Sequence, residues 1–307
     1  MIRKEIIDLI SSKAKLAQRD LIEKDLILHQ LLIELSSDRY FLENYAFKGG
    51  TCLMKCYLSY YRFSEDLDFT YVQSHLSGKS GKQIAKILSN EAGNVVKIIE
   101  DIANRIGLDF RSDKRNPRYV NFGGSNRQIT LKLWYVPDGQ TIETFIKVQI
   151  NFLEELKYPV KMRHADSIFF GKLGKDNESA FLLPENSEWV LKIPELNCYD
   201  IREILVEKVR AILTRKGTKA RDFIDVYMIE KNEKLKVEDF RRQIIDKTKF
   251  MLQFEKYKIN LNSKEFNNLL FLRHEEERIL LIPLPKDFEK FFGRFKVFLN
   301  GLLTELK

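Results

Sequence analysis

Between Phe47 and Phe69 the chain reads FKGGTCLMKCYLSYYRFSEDLDF, and this stretch constrains everything built around it. Apolar Tyr45-Ala46-Phe47 runs into Lys48-Gly49-Gly50-Thr51. Two adjacent glycines permit a tight turn and let backbone N–H groups approach a phosphate closely. A helical run over Cys52–Leu58 should follow, so an anion held at the turn would also face a helix N-terminus. In Arg62-Phe63-Ser64-Glu65-Asp66-Leu67-Asp68-Phe69, period-two alternation puts Asp66 and Asp68 on one face of a strand and Leu67 and Phe69 on the other. Carboxylates two residues apart on a strand are spaced to share divalent ions, which can clamp a triphosphate and the attacking oxygen. Either half alone has an ordinary reading, as a turn or as a solvated strand face. The signal lies in their combination at a helix-length spacing.

The combination of GGT with R-x-S-x-D-x-D resembles the signature of the AbiEii/AbiGii nucleotidyltransferase-like toxin family, within the polymerase-beta-type nucleotidyltransferases. The resemblance implies a mixed sheet with metal-binding aspartates on its strands and transfer of a nucleotide from a nucleoside triphosphate (NTP). It assigns Mg²⁺ to Asp66 and Asp68, and the triphosphate to Lys48, Gly49, Gly50 and Thr51 with Arg62 and Ser64. Glu23-Lys24-Asp25 is similar to an acidic-basic triplet found ahead of the family's Gly-Gly turn. From spacing alone it reads as an exposed helix face.

At 307 residues the chain is long enough for two domains, or for one with a helical extension. A composition 44% hydrophobic and 31% charged is that of a soluble globular protein. No run approaches the ~20 apolar residues of a membrane span, and the N-terminus lacks a signal-peptide core, so the expected location is the cytoplasm. Cys52, Cys56 and Cys198 show no metal-ligand spacing and read as reduced core residues. Four histidines scattered singly argue against a zinc site. From Cys198 onward there are 24 Lys and Arg against 18 Asp and Glu; from totals of 52 and 44, the earlier part keeps only 28 against 26. A basic C-terminal region suits a polyanion such as RNA, although basic surface is also common without one.

In chain order, residues 1–37 read as helix, with Asp20 as cap of a second segment. Gly78-Lys79-Ser80 does not complete a Walker A loop, because Gln73 stands where that motif needs glycine. A long amphipathic helix is expected over Lys82–Arg105. Arg111–Arg127 carries five basic residues and one acid, with Tyr119 and Phe122 among them. It reads equally as a nucleic-acid-holding loop or a solvated strand edge. Thr130–Val136, Pro137-Asp138-Gly139 and Thr144–Phe152 form a hairpin pattern. Its second strand resembles the one that carries a third metal-binding carboxylate in polymerase-beta-type enzymes. Gln149 holds that position; an amide oxygen can ligate magnesium but brings no charge and cannot act as a base. Either Glu143 or a later acid substitutes, or catalysis relies on two carboxylates. Trp189–Ile193 reads as a short strand.

Asp200-Ile201-Arg202-Glu203 fits a capping box opening a helix. Lys208 falls in that helix's apolar stripe, where an ammonium must snorkel or meet an anion. On spacing alone, methionine should be tolerated there. From Arg202 to Arg221 there are seven basic residues and two acids, followed by Asp222 and Asp225 on one helical face. A salt-bridged helix pair would account for this pattern. It also looks like the second block of the same toxin family, which makes Lys208 a triphosphate contact and Asp222 an active-site acid. The resemblance spans about Glu23 to Met228.

The expectation is therefore an α+β protein: a nucleotidyltransferase-like domain over 1–196 and a C-terminal helical region over 197–307 that contributes to the active site. The leading function is Mg²⁺-dependent transfer of a nucleoside monophosphate to RNA, foremost the tRNA acceptor end, by a toxin paired with an antitoxin protein. Transfer to a protein or small-molecule hydroxyl, and a nucleotide-binding protein without catalysis, stand beside it.

Overall fold

The computed structural model describes residues 2–72, 80–123, 127–173, 180–267 and 277–307. The Gly78-Lys79 turn and Leu269-Leu270 lie outside the described residues. The chain divides into two compact units, one of residues 1–154 and 160–199, the other of 155–159 and 200–307.

The first unit opens with helices α1 (Lys4–Ala14) and α2 (Arg19–Ser37), which bury the apolar stripe of Ile6, Ile7, Ile10, Leu28, Leu31, Leu32 and Leu35. Asp20 is not the cap of α2: Gln18 holds that place and Asp20 lies in the first turn, where its charge favours the helix dipole. Helix α3 (Arg39–Asn44) is capped by Asp38, which accepts the Phe41 N–H at 2.7 Å. Strand β1 (Tyr45–Lys48) then enters helix α4 (Gly49–Leu53) with no intervening turn, and a π-helical segment, Met54–Leu58, continues it. The sequence suggests a helix starting at Cys52. It starts three residues earlier because Gly49, at φ 78°, reverses the chain within one residue.

Strand β2 (Asp66–Tyr71) follows, then α5 (Gly81–Ile106), whose start is fixed by a Ser80–Gln83 capping box. Strands β3 (Val120–Gly123), β4 (Gln128–Tyr135) and β5 (Thr144–Asn151) come next, then β6 (Lys161–His164), α6 (Ile168–Leu173) and β7 (Glu195–Cys198). Trp189–Ile193 is not a strand: Glu188–Leu191 forms a 3₁₀ turn, and pairing begins only beyond Pro194, which has no N–H to give a ladder.

The described strands make one mixed sheet in the order β3-β4-β5-β2-β1-β7-β6. The β4–β5 hairpin pairs from Gln128↔Asn151 to Tyr135↔Thr144. Strand β2 runs parallel to β5 and antiparallel to β1. Register sorts the two faces. Phe47, Phe69, Ile150 and Ile129 form one apolar row across four strands, and Leu67, Val148 and Leu131 form another; all seven are buried. On the opposite face, Lys48, Asp68, Gln149 and Thr130 align in one row, and Asp66, Lys147 and Lys132 in the next. The apolar rows supply the core that holds the polar rows in place.

The second unit is helical: α7 (Ile201–Thr214), α8 (Ala220–Glu233), α9 (Arg241–Leu252), α10 (Glu255–Asn262) and α11 (Phe288–Leu306). Phe223 of α8 meets Phe292 and Phe295 of α11 edge-on, with centroids 5.4 and 5.8 Å apart. Asp200 caps α7 by accepting the Arg202 N–H at 2.9 Å. Glu203 does not complete the capping box. It is fully buried and instead accepts the N–H groups of Lys157 and Tyr158 at 2.6 and 2.8 Å and Lys247 Nζ at 2.5 Å. A buried ammonium and two backbone donors outcompete the single N–H of the N-cap for that carboxylate.

Candidate active site

The motif residues from Lys48 to Asp68 close on one another. A Cβ on Gly49 would lie 2.5 Å from Asp68 Oδ2, so the carboxylate occupies the space that only glycine leaves. A Cβ on Gly50 would lie 2.5 Å from Arg62 Nη2 and 3.1 Å from Ser64 Oγ. The buried Thr51 hydroxyl hydrogen-bonds with Ser64 Oγ at 2.8 Å and with the Asp66 carbonyl. Arg62, 1% exposed, donates from Nη1 to the Phe63 carbonyl at 2.7 Å. The GGT turn and the R-x-S-x-D-x-D segment are thus one packed body, and both glycines are needed for it to close.

Asp66 and Asp68 share the polar face of β2, as alternation requires. Gln149 sits in register beside Asp68. Lys147, two residues earlier, reaches Asp66 Oδ2 at 2.7 Å, with both side chains about one-third exposed. On the other side of Asp68, Lys48 is buried and ion-paired with Glu154 Oε2 at 3.2 Å. Glu154 also accepts from Asn151 Nδ2 at 3.3 Å. Glu143 is not the substitute acid: it takes both guanidinium nitrogens of Arg118 at 2.6 and 2.8 Å, on the hairpin's far end. Glu154, at the exit of β5, is the later acid that stands by the motif. Lys147 and Glu154 carry no assignment in the sequence reading, because their proximity depends on a strand register that sequence does not print.

The Glu23-Lys24-Asp25 triplet is not an exposed face. Asp25 is buried, pairing with Lys55 Nζ at 2.9 Å and accepting from Tyr60 Oη at 3.0 Å. Glu23, also buried, accepts the Asp138 N–H at 3.0 Å, and burial raises its carboxyl above the usual range. Lys24 reaches Glu65 at 2.8 Å. The triplet therefore ties α2 to the helix after the glycines, to the hairpin turn and to the residue before Asp66. Apolar periodicity overlooks it because a buried charge with a buried partner looks like a surface charge in sequence.

In Arg111–Arg127 the described residues favour the strand-edge reading. Tyr119 is buried and donates to Asp109 at 2.9 Å, Arg118 lies 4.3 Å from the Trp134 ring centroid, and Val120–Gly123 is the edge strand β3.

Within the helical unit, Lys208 meets anions rather than snorkelling. Its Nζ lies 3.0 Å from Asp222 Oδ1 and 2.6 Å from Asp225 Oδ2. Asp222 also pairs with Arg215. Burial pushes the Asp222 carboxyl up, but Lys208 and then Arg215 outweigh it and hold the group below its ordinary value.

Paired aspartates on the polar face of a mixed sheet, one of them packed against the Gly49-Gly50 helix start, are an arrangement suited to nucleotidyl transfer. A family model described as nucleotidyl transferase AbiEii toxin, type IV toxin–antitoxin system, matches residues 30–300, and the chain belongs to that family. Its members use an NTP and a divalent metal, and a type IV system pairs the toxin with an antitoxin. Among solved structures the chain is similar to JHP933 from Helicobacter pylori, at 14% identity over 94% of this chain and 93% of that one, with a TM-score of 0.42. It is similar also to a provisionally described nucleotidyltransferase from H. pylori, at 15% identity over 94% and 96%, TM-score 0.42. No curated protein matches the chain. Among the described residues no helix is long and apolar enough to cross a membrane.

Proposed function

We propose that this toxin transfers a nucleoside monophosphate from an NTP to RNA, with the tRNA acceptor end as acceptor and Mg²⁺ as the metal. The observation that carries the reading is the Asp68 carboxylate lodged against Gly49, beside Arg62 and Ser64 against Gly50. The donor set suits magnesium: two carboxylates and an amide in one polar patch, all oxygen ligands. Asp66 and Asp68 would hold the metal, which supplies charge neutralisation on the phosphates and lowers the pKa of the attacking hydroxyl.

The chain's own groups do the rest. Gly49, Gly50 and Thr51 present backbone to the triphosphate, and Arg62, fixed by its bond to the Phe63 carbonyl, offers a preset positive charge. Lys48 balances Glu154 next to Asp68, which keeps that side of the patch from accumulating negative charge. An acceptor hydroxyl oxygen forms its bond to the α-phosphorus as the bond to the leaving pyrophosphate breaks. Lys208 and Asp222 enter this reading through the resemblance of the second block alone. In the helical unit they pair with each other, and Asp222 orients the Lys208 ammonium.

One second reading has specific support. Gln149 in place of a carboxylate and Lys147 on Asp66 both reduce the negative charge available to metal, which favours nucleotide binding without transfer. Incubation of the purified protein with each labelled NTP and total RNA separates the readings. Label in the tRNA fraction, lost on Asp68→Asn, is the expected result. NTP binding with no label in RNA, protein or small molecules supports the second reading and ends the first.

A further inference from the structure

The chain has three cysteines, and although they come from distant positions all three meet at one point. Cys52 in α4 and Cys56 in the π-helical segment stand four residues apart, which brings both sulfurs to one side of the helix. Cys198 ends β7, and its Sγ lies 3.7 Å from Cys56 Sγ across 142 residues of sequence. The three Sγ atoms lie within 4.8 Å of one another. We propose that Cys52, Cys56 and Cys198 form a binding site for one thiophilic cation of the zinc class.

The spacing suits it. Zinc–sulfur bonds of about 2.3 Å at tetrahedral angles set thiolates roughly 3.8 Å apart. A disulfide needs about 2 Å. Among the described residues no His, Asp or Glu belongs to the cluster, so its softness excludes Mg²⁺ and Ca²⁺ and separates it from the oxygen-donor aspartates of β2. Lys55, itself paired with Asp25, and Arg163 are the cations that act on the cluster. Together with three thiolates and a divalent ion these groups leave a small net charge, which lowers the cost of burial. Cys52 and Cys198 are buried and Cys56 is half-buried. The fourth position falls to water or a small exogenous ligand, since three protein ligands leave it open.

The competing explanation is that three thiols merely fill a core, where cysteine packs as a small hydrophobe. Two packed thiols would also sit about 3.7 Å apart, so what favours a site is the meeting of all three sulfurs, which core filling does not require. The site is independent of the proposed substrate, although its first ligand lies two residues past Gly50. A bound ion would tether the helix after the glycine turn to β7.

The full-length chain, reduced and stripped with a chelator, is titrated with Cd²⁺ alone and then with Zn²⁺ alone. The expected result is a sulfur-to-cadmium charge-transfer band that saturates at one ion per chain. Zn²⁺ should displace the Cd²⁺ and slow labelling of Cys56 by a thiol reagent at least tenfold. Cys56→Ser, at the half-buried position, and Cys198→Ser should each weaken cadmium binding tenfold or more. Wild-type protein that gives no band while its thiols remain titratable overturns the proposal, and this arm needs no variant to fold. Binding that persists unchanged in Cys56→Ser and Cys198→Ser also overturns it.

Discussion

Replacing Lys208 with methionine separates packing from electrostatics in the helical unit. Judged from sequence, the change keeps the aliphatic stem in an apolar stripe and should be tolerated. The structure reverses that expectation. Lys208 is 12% exposed and pairs with Asp222 and Asp225, which are 3% and 0% exposed. Removing one partner from a buried ion pair destabilises by about 3–5 kcal/mol, because the remaining charge loses compensation and keeps its desolvation penalty. Arg215 still faces Asp222, which places the expectation near the lower end, about 3 kcal/mol. The pH dependence gives a signature that lost packing would not. In the wild type the Asp222 carboxyl sits below its ordinary 3.8, so its contribution to stability is complete above that value and is lost as pH falls through the folded value. In Lys208→Met, burial meets less opposition and the carboxyl moves up. The variant then gains protons in the folded state, and its deficit shrinks on acidification. Urea unfolding followed by circular dichroism, at neutral pH and near pH 4, measures both effects. Asp225→Asn in the same background should recover part of the loss. An unchanged urea midpoint at neutral pH, or a deficit that does not vary with pH, would refute the electrostatic account.

Gly49→Ala should cost roughly 1–2 kcal/mol for its positive φ, as any L-residue does there, and should weaken NTP binding by displacing Asp68; wild-type affinity by calorimetry would remove Gly49 from the site. Asp66→Ala should abolish label transfer and growth inhibition while circular dichroism stays native, and activity near wild type would end the metal assignment. Burial, then Lys55, lowers the His29 imidazole to about 3 from 6.5, so the fold binds fewer protons than the unfolded chain as pH falls between those values. Stability should decline there by up to about 1.4 kcal/mol per pH unit, and His29→Gln should flatten the decline; identical pH profiles would falsify this. Lys216 is exposed, whereas Arg215 is committed to Asp222, so Lys216→Glu is the cleaner test of RNA binding. RNA affinity and its salt slope should fall together with NTP affinity spared, and an affinity flat between ~50 and ~200 mM salt would exclude phosphate-dominated RNA binding.

The part of the site that was legible in sequence is the part whose residues are close along the chain. Gly49, Gly50, Thr51, Arg62, Ser64, Asp66 and Asp68 lie within one turn, one helix and one strand, so local geometry nearly determines their meeting. The hairpin was legible for the same reason, because alternation and a Pro-Asp-Gly turn specify it. Lys147 and Glu154 were hidden by strand order: β5 adds beside β2 in parallel, and no sequence pattern states that register. Asp25 and Glu203 were misjudged through a shared cause. Each is a buried carboxylate satisfied by a lysine far away in sequence, Lys55 and Lys247, and hydrophobic periodicity cannot distinguish it from a solvated one. The cysteine cluster was missed because two of its members are helical neighbours and the third is supplied by the sheet.

Residues 155–159 belong to the helical unit although the chain on both sides of them belongs to the sheet unit. The polypeptide therefore crosses the boundary three times, at 154/155, 159/160 and 199/200. Lys247 donates to the Glu155 carbonyl at 2.8 Å, and Glu203 takes the N–H groups of Lys157 and Tyr158. A fragment cut before Asp200 would keep Glu203 and Lys247 but lose those partners, leaving two ionic groups at the centre of a helical bundle with part of their bonding undone. The helical unit is consequently not a cassette. It cannot be grafted onto another catalytic sheet, or lost from this one, by a single splice, and any recombination that preserves it must carry this five-residue detour along.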